Sequence, residues 1–411
     1  MLRSVIHSLF TKASVAVVNF LILIFTAKFL GLTIRGEISI LILNISIIQM
    51  VSEIYTGFSL VHFFAKFNTI RTYFNGIYFA IITTLGVNIV LFAFNLYPTE
   101  YIWFLLTLSL VSILNTYNSV LILAKENFKL FNFLSITQPL LLLIGLFYSV
   151  FILENKSIYA FNWSLLFSFI VPFIVSSIYI FLNLFKTPGS KEYAWSPILK
   201  NGFYCQLSVL MYILSGKFSY YILENNSDVG LFSTSTSLIE SILITTNAIT
   251  PILLSKVANT SNHDKSINYT LIFAKLSFLF SLFAVMILVF IPNDFFVFIL
   301  GNDFQANKDI MLLLSPGIIF LSFTGIISHY FSGIGDLKTV SIYNGLGFLI
   351  NIILANILIP KYGIAGAATG TNLAYFVMFI ASIVLFKKKT NITFQRVLGL
   401  RFSLKEIKEL F

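Results

Sequence analysis

Apolar residues form twelve long runs along the 411-residue chain, and the segments that separate them are short. The runs cover residues 13–30, 38–64, 77–97, 101–124, 133–153, 158–184, 203–223, 229–254, 269–291, 310–331, 339–358 and 364–386. A helix of about 20 apolar residues is long enough to cross a bilayer. The pattern predicts an all-α integral membrane protein with twelve transmembrane helices.

The basic residues alternate from side to side of the predicted membrane. Of the 26 Lys and Arg residues, 19 fall on one side, four on the other and three inside the runs. The four on the sparse side are Arg35, Lys156, Lys308 and Lys361, and the three inside are Lys28, Lys217 and Lys275. Because cytoplasmic loops collect Lys and Arg, both termini are predicted to be cytoplasmic.

Composition narrows the possible functions. Charged residues make up 10% of the chain and apolar residues 58%, which leaves no stretch for a soluble domain. The net charge of +10 lies mostly on the side that faces anionic lipid, so it does not indicate a nucleic-acid partner. One cysteine, Cys205, and four scattered histidines predict no disulfide, metal site or cofactor. The longest outer loop, about 292–309, is too short for a catalytic domain, and no enzyme is predicted.

The two halves of the chain echo each other. Residues 27–29 (AKF) near the end of the first run resemble residues 216–218 (GKF) in the seventh run. The second span of each half also carries a carboxyl group, Glu53 or Glu240. Because both halves contain six spans and enter from the cytoplasm, the echo predicts a parallel repeat of residues 1–200 and 201–386. Residues 387–411 form a basic tail, which is either an amphipathic helix at the membrane surface or a solvated segment.

Three lysines lie inside the predicted spans, where an ionisable side chain costs a few kcal/mol and usually has a function. Lys217 is the strongest candidate, because it lies well within the seventh run among hydroxyl-bearing residues. Lys28 is close enough to a helix end for its ammonium group to snorkel to the interface. Lys275 lies about one and a half turns into the ninth run, and its ammonium group can reach cytoplasmic phosphates in the same way.

The polar residues of the spans have two interpretations each. Glu53 and Glu240 either exchange a coupling ion or act as structural partners of a lysine, and the sequence does not pair them. Amide side chains on the spans either line a path for sugars or, more commonly, form hydrogen bonds between helices. These amides are Asn19, Asn44, Gln49, Asn115, Asn118, Gln206 and Asn247.

Five sequence blocks in the second half carry a family resemblance. They are VGLFST (229–234), ITPILLSK (249–256), LGNDF (300–304), FSGIGDLK (331–338) and NILIPKYGIAGAA (356–368). In order and spacing they resemble the polysaccharide flippase branch of the multidrug/oligosaccharidyl-lipid/polysaccharide (MOP) transporter superfamily. The first half is similar mainly in its span pattern and in FLG (29–31) and GEIS (36–39).

The resemblance implies a MATE-like fold of two six-helix lobes around a central cavity. It also implies a Wzx-type flippase of the bacterial inner membrane, which moves an undecaprenyl-pyrophosphate-linked oligosaccharide to the periplasmic leaflet for O-antigen or capsule assembly. Partners would be a glycan polymerase and a chain-length regulator. Because a pyrophosphate must meet cations inside a membrane, we expect Lys217 to bind it, Lys28 and Lys275 to assist, and Glu53 or Glu240 to couple transport to an ion gradient.

Two other functions are compatible with a chain of many spans. A MATE-like multidrug or small-cation exporter on the same fold would favour carboxylates and aromatics in its cavity, whereas this chain has at least as many membrane lysines as carboxyls. A membrane glycan polymerase or ligase would carry a large periplasmic loop with catalytic residues. The outer loop at 292–309 holds only Asp294, Asp303, Lys308 and Asp309 as charged residues.

Overall fold

A computed structural model describes residues 2–57, 60–61, 69–97, 99–183, 195–244, 246, 250, 253, 257 and 263–399, and within them the chain is helical with no β-strand. The α-helices are α1 Leu2–Thr56, α2 Thr69–Ala93, α3 Ile102–Ala124, α4 Phe128–Phe147, α5 Ile158–Asn183, α6 Trp195–Lys217, α7 Asn226–Glu240, α8 His263–Phe290, α9 Asn293–Leu300, α10 Asn307–Gly333, α11 Leu337–Thr390 and α12 Phe394–Leu398. Short 3-10 segments lie at Thr99–Tyr101, Phe218–Tyr221, Ser241–Leu243 and Asn302–Phe304, and a π-helical turn at Tyr148–Ile152.

Eight helices in the described part of the chain are long and apolar enough to cross a membrane, so the chain is a multi-pass membrane protein. Two of them, α1 and α11, are 55 and 54 residues long and each take up two of the predicted runs. The seventh run corresponds to α6, which Lys200 and Lys217 make less apolar. The eighth run begins as α7 and continues partly outside the described residues. The count of twelve spans stays a prediction.

Large apolar side chains cover much of the outer surface of these helices. Phe290, Trp103 and Ile82 expose 85%, 75% and 68% of their surface, and many other Phe, Ile, Leu and Val residues on the spans are exposed in the same way. A soluble protein rarely presents contiguous apolar patches of this extent. Hydrocarbon is the solvent that such a surface requires.

Helix α11 is a hairpin of two antiparallel legs joined at Gly363. This glycine has φ 53° and ψ −130°, a backbone conformation that L side chains rarely adopt. Residues on either side of it meet in pairs that lie progressively farther from the turn. The pairs are Leu358 with Gly366, Leu354 with Gly370, and Met378 with Gly347. The legs correspond to the eleventh and twelfth apolar runs. Between them, Gly363 is the residue at which the helical backbone is interrupted.

Small residues let the two legs of α11 approach closely. Gly366 and Gly370 are four residues apart and therefore lie on one face of the second leg. A Cβ atom on Gly366 would lie 2.3 Å from the carbonyl oxygen of Leu358. Helices in membranes associate through van der Waals contact at such glycine pairs, because lipid offers no hydrophobic driving force. The family-like block at 356–368 is thus the turn and the contact surface of the hairpin.

A similar interruption occurs in α1, where Gly31 has φ 81° and ψ 175°. It separates the first two apolar runs, which the sequence predicts as distinct spans joined by residues 31–37. The helix ends at Thr56, earlier than the predicted end of the second run at residue 64. Residues 62–68 lie outside the described part of the chain.

Helix α10 continues through Pro316 because an amide from α11 replaces a backbone hydrogen bond. Asn372 Nδ2 donates to the carbonyl of Leu313 at 2.5 Å, and the backbone N–H of Gly317 donates to Asn372 Oδ1 at 2.9 Å. These are the two backbone groups that an uninterrupted α-helix would pair directly. Neighbouring side chains commonly satisfy the backbone groups freed near a proline in a membrane helix.

The chain divides into two compact units, Met1–Leu207 and Ser208–Phe411. The first unit has two buried apolar clusters, one around Ile38, Leu108 and Leu146 and one around Tyr55 and Leu121. The second unit has a cluster that includes Leu271, Ile326 and Phe386. Each unit therefore has a core of its own.

The described part of the basic tail packs against the C-terminal unit. Ile392 and Val397 are buried in the same cluster as Leu271. The guanidinium of Arg396 donates to Asn268 Oδ1 on α8 at 2.7 Å. These contacts attach residues 391–399 to the C-terminal unit. Whether the tail is a surface helix or a solvated segment stays a prediction, because residues 400–411 are outside the described range.

An ion pair joins the open ends of the α11 hairpin. Lys389, near the end of the second leg, lies 2.9 Å from Asp336, which caps the first leg through the N–H and hydroxyl of Thr339. Partial burial favours the neutral acid, but the hydrogen bonds from Lys389 and Thr339 and the Lys389 charge prevail and hold the pKa of Asp336 below its usual value.

We expect this ion pair to make stability depend on pH in the acid range. Because the folded pKa of Asp336 is depressed, its contribution is present above the unfolded value, about 3.9, and is lost as pH falls through the folded pKa. Asp336→Asn, which keeps a capping group, should cost at most about 1 kcal/mol at neutral pH, since the pair is partly exposed. Unfolding midpoints in detergent should converge for the two proteins once the pH falls below the folded pKa of Asp336. A gap that persists in strong acid would contradict this origin.

Candidate functional site

In the N-terminal unit, amide side chains hold Glu53 of α1. Gln49 Nε2 donates to Glu53 Oε1 at 2.9 Å, and Gln206 Nε2 donates to Glu53 Oε2 at 3.1 Å. Gln49 also donates to the hydroxyl of Thr116 on α3 at 3.1 Å. Both carboxyl oxygens are thus satisfied by neutral donors, and among the described residues the hydrogen-bond partners of Glu53 are these amides. Its role in ion coupling stays a prediction.

Gln206 reaches Glu53 because the chain passes very close at Gly57. A Cβ atom on Gly57 would lie 3.1 Å from Gln206 Nε2 and 2.5 Å from the backbone oxygen of Glu53. Gly57 follows the last residue of α1, so the end of this helix and the middle of α6 meet around the carboxyl group. Two sequence candidates for a sugar path, Gln49 and Gln206, therefore form interhelical hydrogen bonds here.

Other span amides have the same bonding role. Asn44 donates to the carbonyl of Leu96 at 3.2 Å, and Asn118 donates to the hydroxyls of Ser176 and Ser177 at 3.1 and 2.9 Å. Asn247 lies outside the described residues. Buried amides of this kind fix the packing of helices in an apolar solvent.

Lys217 is the last residue of α6 and is half-buried. Lys217 lies within the predicted seventh run, but the α-helix of that run stops at this residue and a 3-10 turn continues to Tyr221. Contacts from α11 hold this helix end in place. Asn351 Nδ2 donates to the carbonyl of Ser215 at 2.6 Å, and Gly216 lies so close to Tyr375 that a Cβ would meet its hydroxyl.

Glu240 lies in the same unit, at the end of α7, and is half-buried. It is near enough to the phenols of Tyr212 and Tyr375 to interact with them electrostatically. Tyr375 is also the residue that packs against Gly216. The C-terminal unit therefore connects Glu240 to the backbone beside Lys217 through one buried tyrosine, a link that the sequence did not predict.

The remaining two lysines have different surroundings. Lys28 is exposed on α1, three residues before Gly31. Lys275 on α8 is 8% exposed, and its Nζ donates to the carbonyl of Arg396 in the tail at 3.1 Å. This contact gives Lys275 a structural use, since a buried ammonium group must be hydrogen-bonded. Pyrophosphate binding by either lysine stays a prediction.

A cavity of about 250 Å³ lies inside the C-terminal unit, between α6, α10 and α11. Polar side chains that line it are Ser208, Tyr212, Thr246, Thr324, Ser328, His329, Ser332 and Asn344. None of the site residues predicted from the sequence lines this cavity. The sequence feature that could have indicated the cavity is a set of small and hydroxyl-bearing residues on one face of α10, between residues 321 and 332, together with a histidine. In the described part of the chain, no group of three or more His, Cys, Asp or Glu residues is placed to hold a metal ion.

Solved transporter structures share the architecture of the chain. An inward-facing multidrug resistance MATE family transporter of the MOP superfamily aligns over 92% of this chain and 94% of its own, with a TM-score of 0.73 and 14% identity. The lipid II flippase MurJ in an inward closed conformation aligns over 100% of this chain and 90% of its own, with a TM-score of 0.66 and 16% identity. At these identities the likeness is one of fold.

Sequence relatives match only parts of the chain, and no protein-family model matches it. An uncharacterized membrane protein of Methanocaldococcus jannaschii, MJ1068, is 32% identical over 117 residues, which are 27% of this chain and 23% of the relative. The capsular polysaccharide biosynthesis protein CapF of Staphylococcus aureus is 26% identical over 180 residues, 41% of this chain and 44% of the relative. The matches span less than half the length of each curated relative. Structure and comparisons together show a multi-pass membrane protein with the fold of MOP superfamily transporters.

Proposed function

We propose that the chain is a flippase for a polyprenyl-pyrophosphate-linked oligosaccharide, of the undecaprenyl type, that supplies O-antigen or capsule assembly. The fold is shared with the lipid II flippase MurJ, and a partial relative is described as a capsular polysaccharide biosynthesis protein. The chain would lie in a bacterial inner membrane with both termini in the cytoplasm. A polymerase and a chain-length regulator would receive the product.

The observation that carries the proposal is Lys217. Its ammonium group belongs to a half-buried residue of the seventh predicted span, and hydrogen bonding and close packing fix the backbone on which it sits. A cation in such a place requires an anionic partner, and a pyrophosphate supplies one with several acceptor oxygens. In the predicted topology Lys28 and Lys217 lie toward the outer ends of their spans, and Lys275 toward the cytoplasm.

Transport would proceed by alternating access of the two six-helix lobes around a central cavity, with the lipid tail left in the bilayer. A coupling ion can drive the cycle only if it binds one orientation more tightly than the other. Glu53 and Glu240 are the proposed ion-coupling carboxyls. Glu53 already has two neutral donors in place, and Glu240 interacts with Tyr375, which reaches the backbone beside Lys217.

A second candidate is a MATE-like multidrug or small-cation exporter. The higher TM-score with the MATE transporter, 0.73 against 0.66 for MurJ, favours it. The two functions differ in the charge of the cargo. Membrane lysines favour an anion, whereas an exporter of cations would rely on carboxylates.

Reconstitution separates the two candidates. The full chain in liposomes should expose a polyprenyl-pyrophosphate-linked disaccharide, first confined to the inner leaflet, to a pyrophosphatase added outside. In matched vesicles the full chain should not transport tetraphenylphosphonium against the concentration gradient of this cation. Protein-free vesicles set the background rate. Release of the cation without exposure of the disaccharide would replace the flippase proposal with the exporter.

A further inference from the structure

The cavity of the C-terminal unit has a chemistry different from that expected of a phosphate site. None of the described residues that line it carries a carboxylate, ammonium or guanidinium group. Its polar groups are hydroxyls, one imidazole and one carboxamide, and they alternate with apolar side chains such as Leu321 and Met378. Neutral donors and acceptors next to apolar surface suit a ligand with hydroxyl groups on a carbon ring. They give a phosphate no counter-charge.

Asn344 provides an unused acceptor in the wall of this cavity. The residue is 4% exposed, and its Nδ2 donates to the backbone carbonyl of Ser208 at 2.9 Å. Its Oδ1 is buried and has no hydrogen-bond partner among the described residues. A buried acceptor left in this state costs about 1–3 kcal/mol. A ligand hydroxyl that donates to Oδ1 would remove this cost, and because Oδ1 has almost no accessible surface, the Asn344 side chain must shift toward the cavity to accept that bond.

Other groups around Asn344 can serve the same ligand. Tyr212 presents a phenol on α6, and His329 is half-buried on α10 and in its neutral form offers one donor and one acceptor. Ser328 already pairs with Tyr343 at 2.6 Å, which holds its hydroxyl in position. Hydroxyl groups on adjacent ring carbons both donate and accept, so they match a mixed set of this kind.

We infer that this cavity binds one sugar residue of the transported head group, an inference that rests on the proposed flippase function. Its volume of about 250 Å³ lies just below the range of about 300–1,000 Å³ typical of ligand pockets, so it has room for one ring and not for an oligosaccharide. Lys217 and the cavity would then divide the recognition between them. The lysine binds the charged carrier and the cavity selects the sugar.

Gly325 offers a way to fill the cavity without altering its polar groups. A Cβ atom there would meet only Thr246 Cγ2, at an ordinary 3.5 Å, so a larger side chain extends into the free volume. Gly325→Leu should therefore block the site, and Asn344→Leu should remove its acceptor. Gly86→Leu on α2 is the matched control, because Gly86 is exposed and has open space around it.

The test is thermal unfolding of the full chain in a detergent without a sugar headgroup, with a panel of neutral and N-acetylated monosaccharides as probes. Mannitol at equal concentration corrects for the general stabilisation by excluded polyols. At about 100 times Kd, at least one pyranose should raise the midpoint by several degrees more than mannitol. The Gly325→Leu and Asn344→Leu chains should lose this shift, and Gly86→Leu should keep it.

Three outcomes overturn the inference: no pyranose exceeds mannitol, the shift survives in Gly325→Leu, or water alone occupies the cavity in a sugar-soaked structure. The vesicle assay distinguishes these failures from failure of the proposed function. Translocation of the lipid-linked disaccharide without any monosaccharide shift removes the sugar site and leaves the flippase. A specific shift without translocation keeps the sugar site and removes the flippase.

Discussion

Lys217→Ala is expected to lower export of the lipid-linked glycan by about 10- to 100-fold. A hydrogen bond to a charged group contributes about 1.5–3 kcal/mol, and each 1.4 kcal/mol is a factor of ten in affinity or rate. The side chain lies at the end of α6, where it also complements the helix dipole for about 0.3–1 kcal/mol. The unfolding midpoint should therefore change little while transport falls. Complementation of a flippase-deficient strain, with the amount of inserted protein measured in parallel, gives the readout.

Two further variants make the Lys217 experiment specific. Lys361→Ala removes an exposed lysine of α11 from the predicted outer face and should leave export unchanged. Lys217→Arg keeps the charge and should retain part of the activity, since a guanidinium also binds phosphate oxygens. Normal export by an inserted Lys217→Ala protein would remove this lysine from the mechanism. In that case another group would have to bind the pyrophosphate of the carrier while the sugar occupies the cavity of the C-terminal unit.

The apolar runs predict the helices well where a long run stands alone, as in α3, α5, α8 and α10. They also separate the spans on either side of Gly31 and Gly363, but they do not show the form of the break. At each place helical geometry continues up to a single glycine with positive φ, where the chain reverses or bends. The family-like block at 356–368 contains the glycines of this hairpin, but only the structure shows that they also form its contact surface.

The candidate site was predictable only in part, because single residues do not reveal their partners. The position of Glu53 in an apolar run makes it a candidate, but the sequence does not reveal its donors, which come from residues 4 and 153 positions away. For Lys275 the sequence does not show the hydrogen bond from its Nζ to a carbonyl of the tail, and its predicted contact with phosphates stays a prediction. The cavity around Asn344 depends on how three helices leave space between them. No local pattern encodes that space.

Gly366→Ala is expected to destabilise the protein more than a substitution at an exposed position, because the added Cβ would lie 2.3 Å from the backbone oxygen of Leu358. Backbone cannot rotate aside as a flexible side chain can, so the two legs of α11 must separate. Overpacking typically costs about 1–3 kcal/mol and occasionally more, and we expect about 3 kcal/mol here. The loss should appear as a lower unfolding midpoint and a smaller yield of inserted protein.

Gly345→Ala is the matched control for this experiment. Gly345 lies on the first leg of the same helix, and a Cβ there would have nothing within 4 Å. Alanine is favoured over glycine in a helix by about 1 kcal/mol, so this variant should be as stable as the natural chain or more so. The same chemical change is thus expected to act with opposite sign at two positions of one helix. Equal effects at both would mean that the legs of α11 do not meet at Gly366, and the hairpin that fixes Asn351 and Tyr375 beside Lys217 would be wrong.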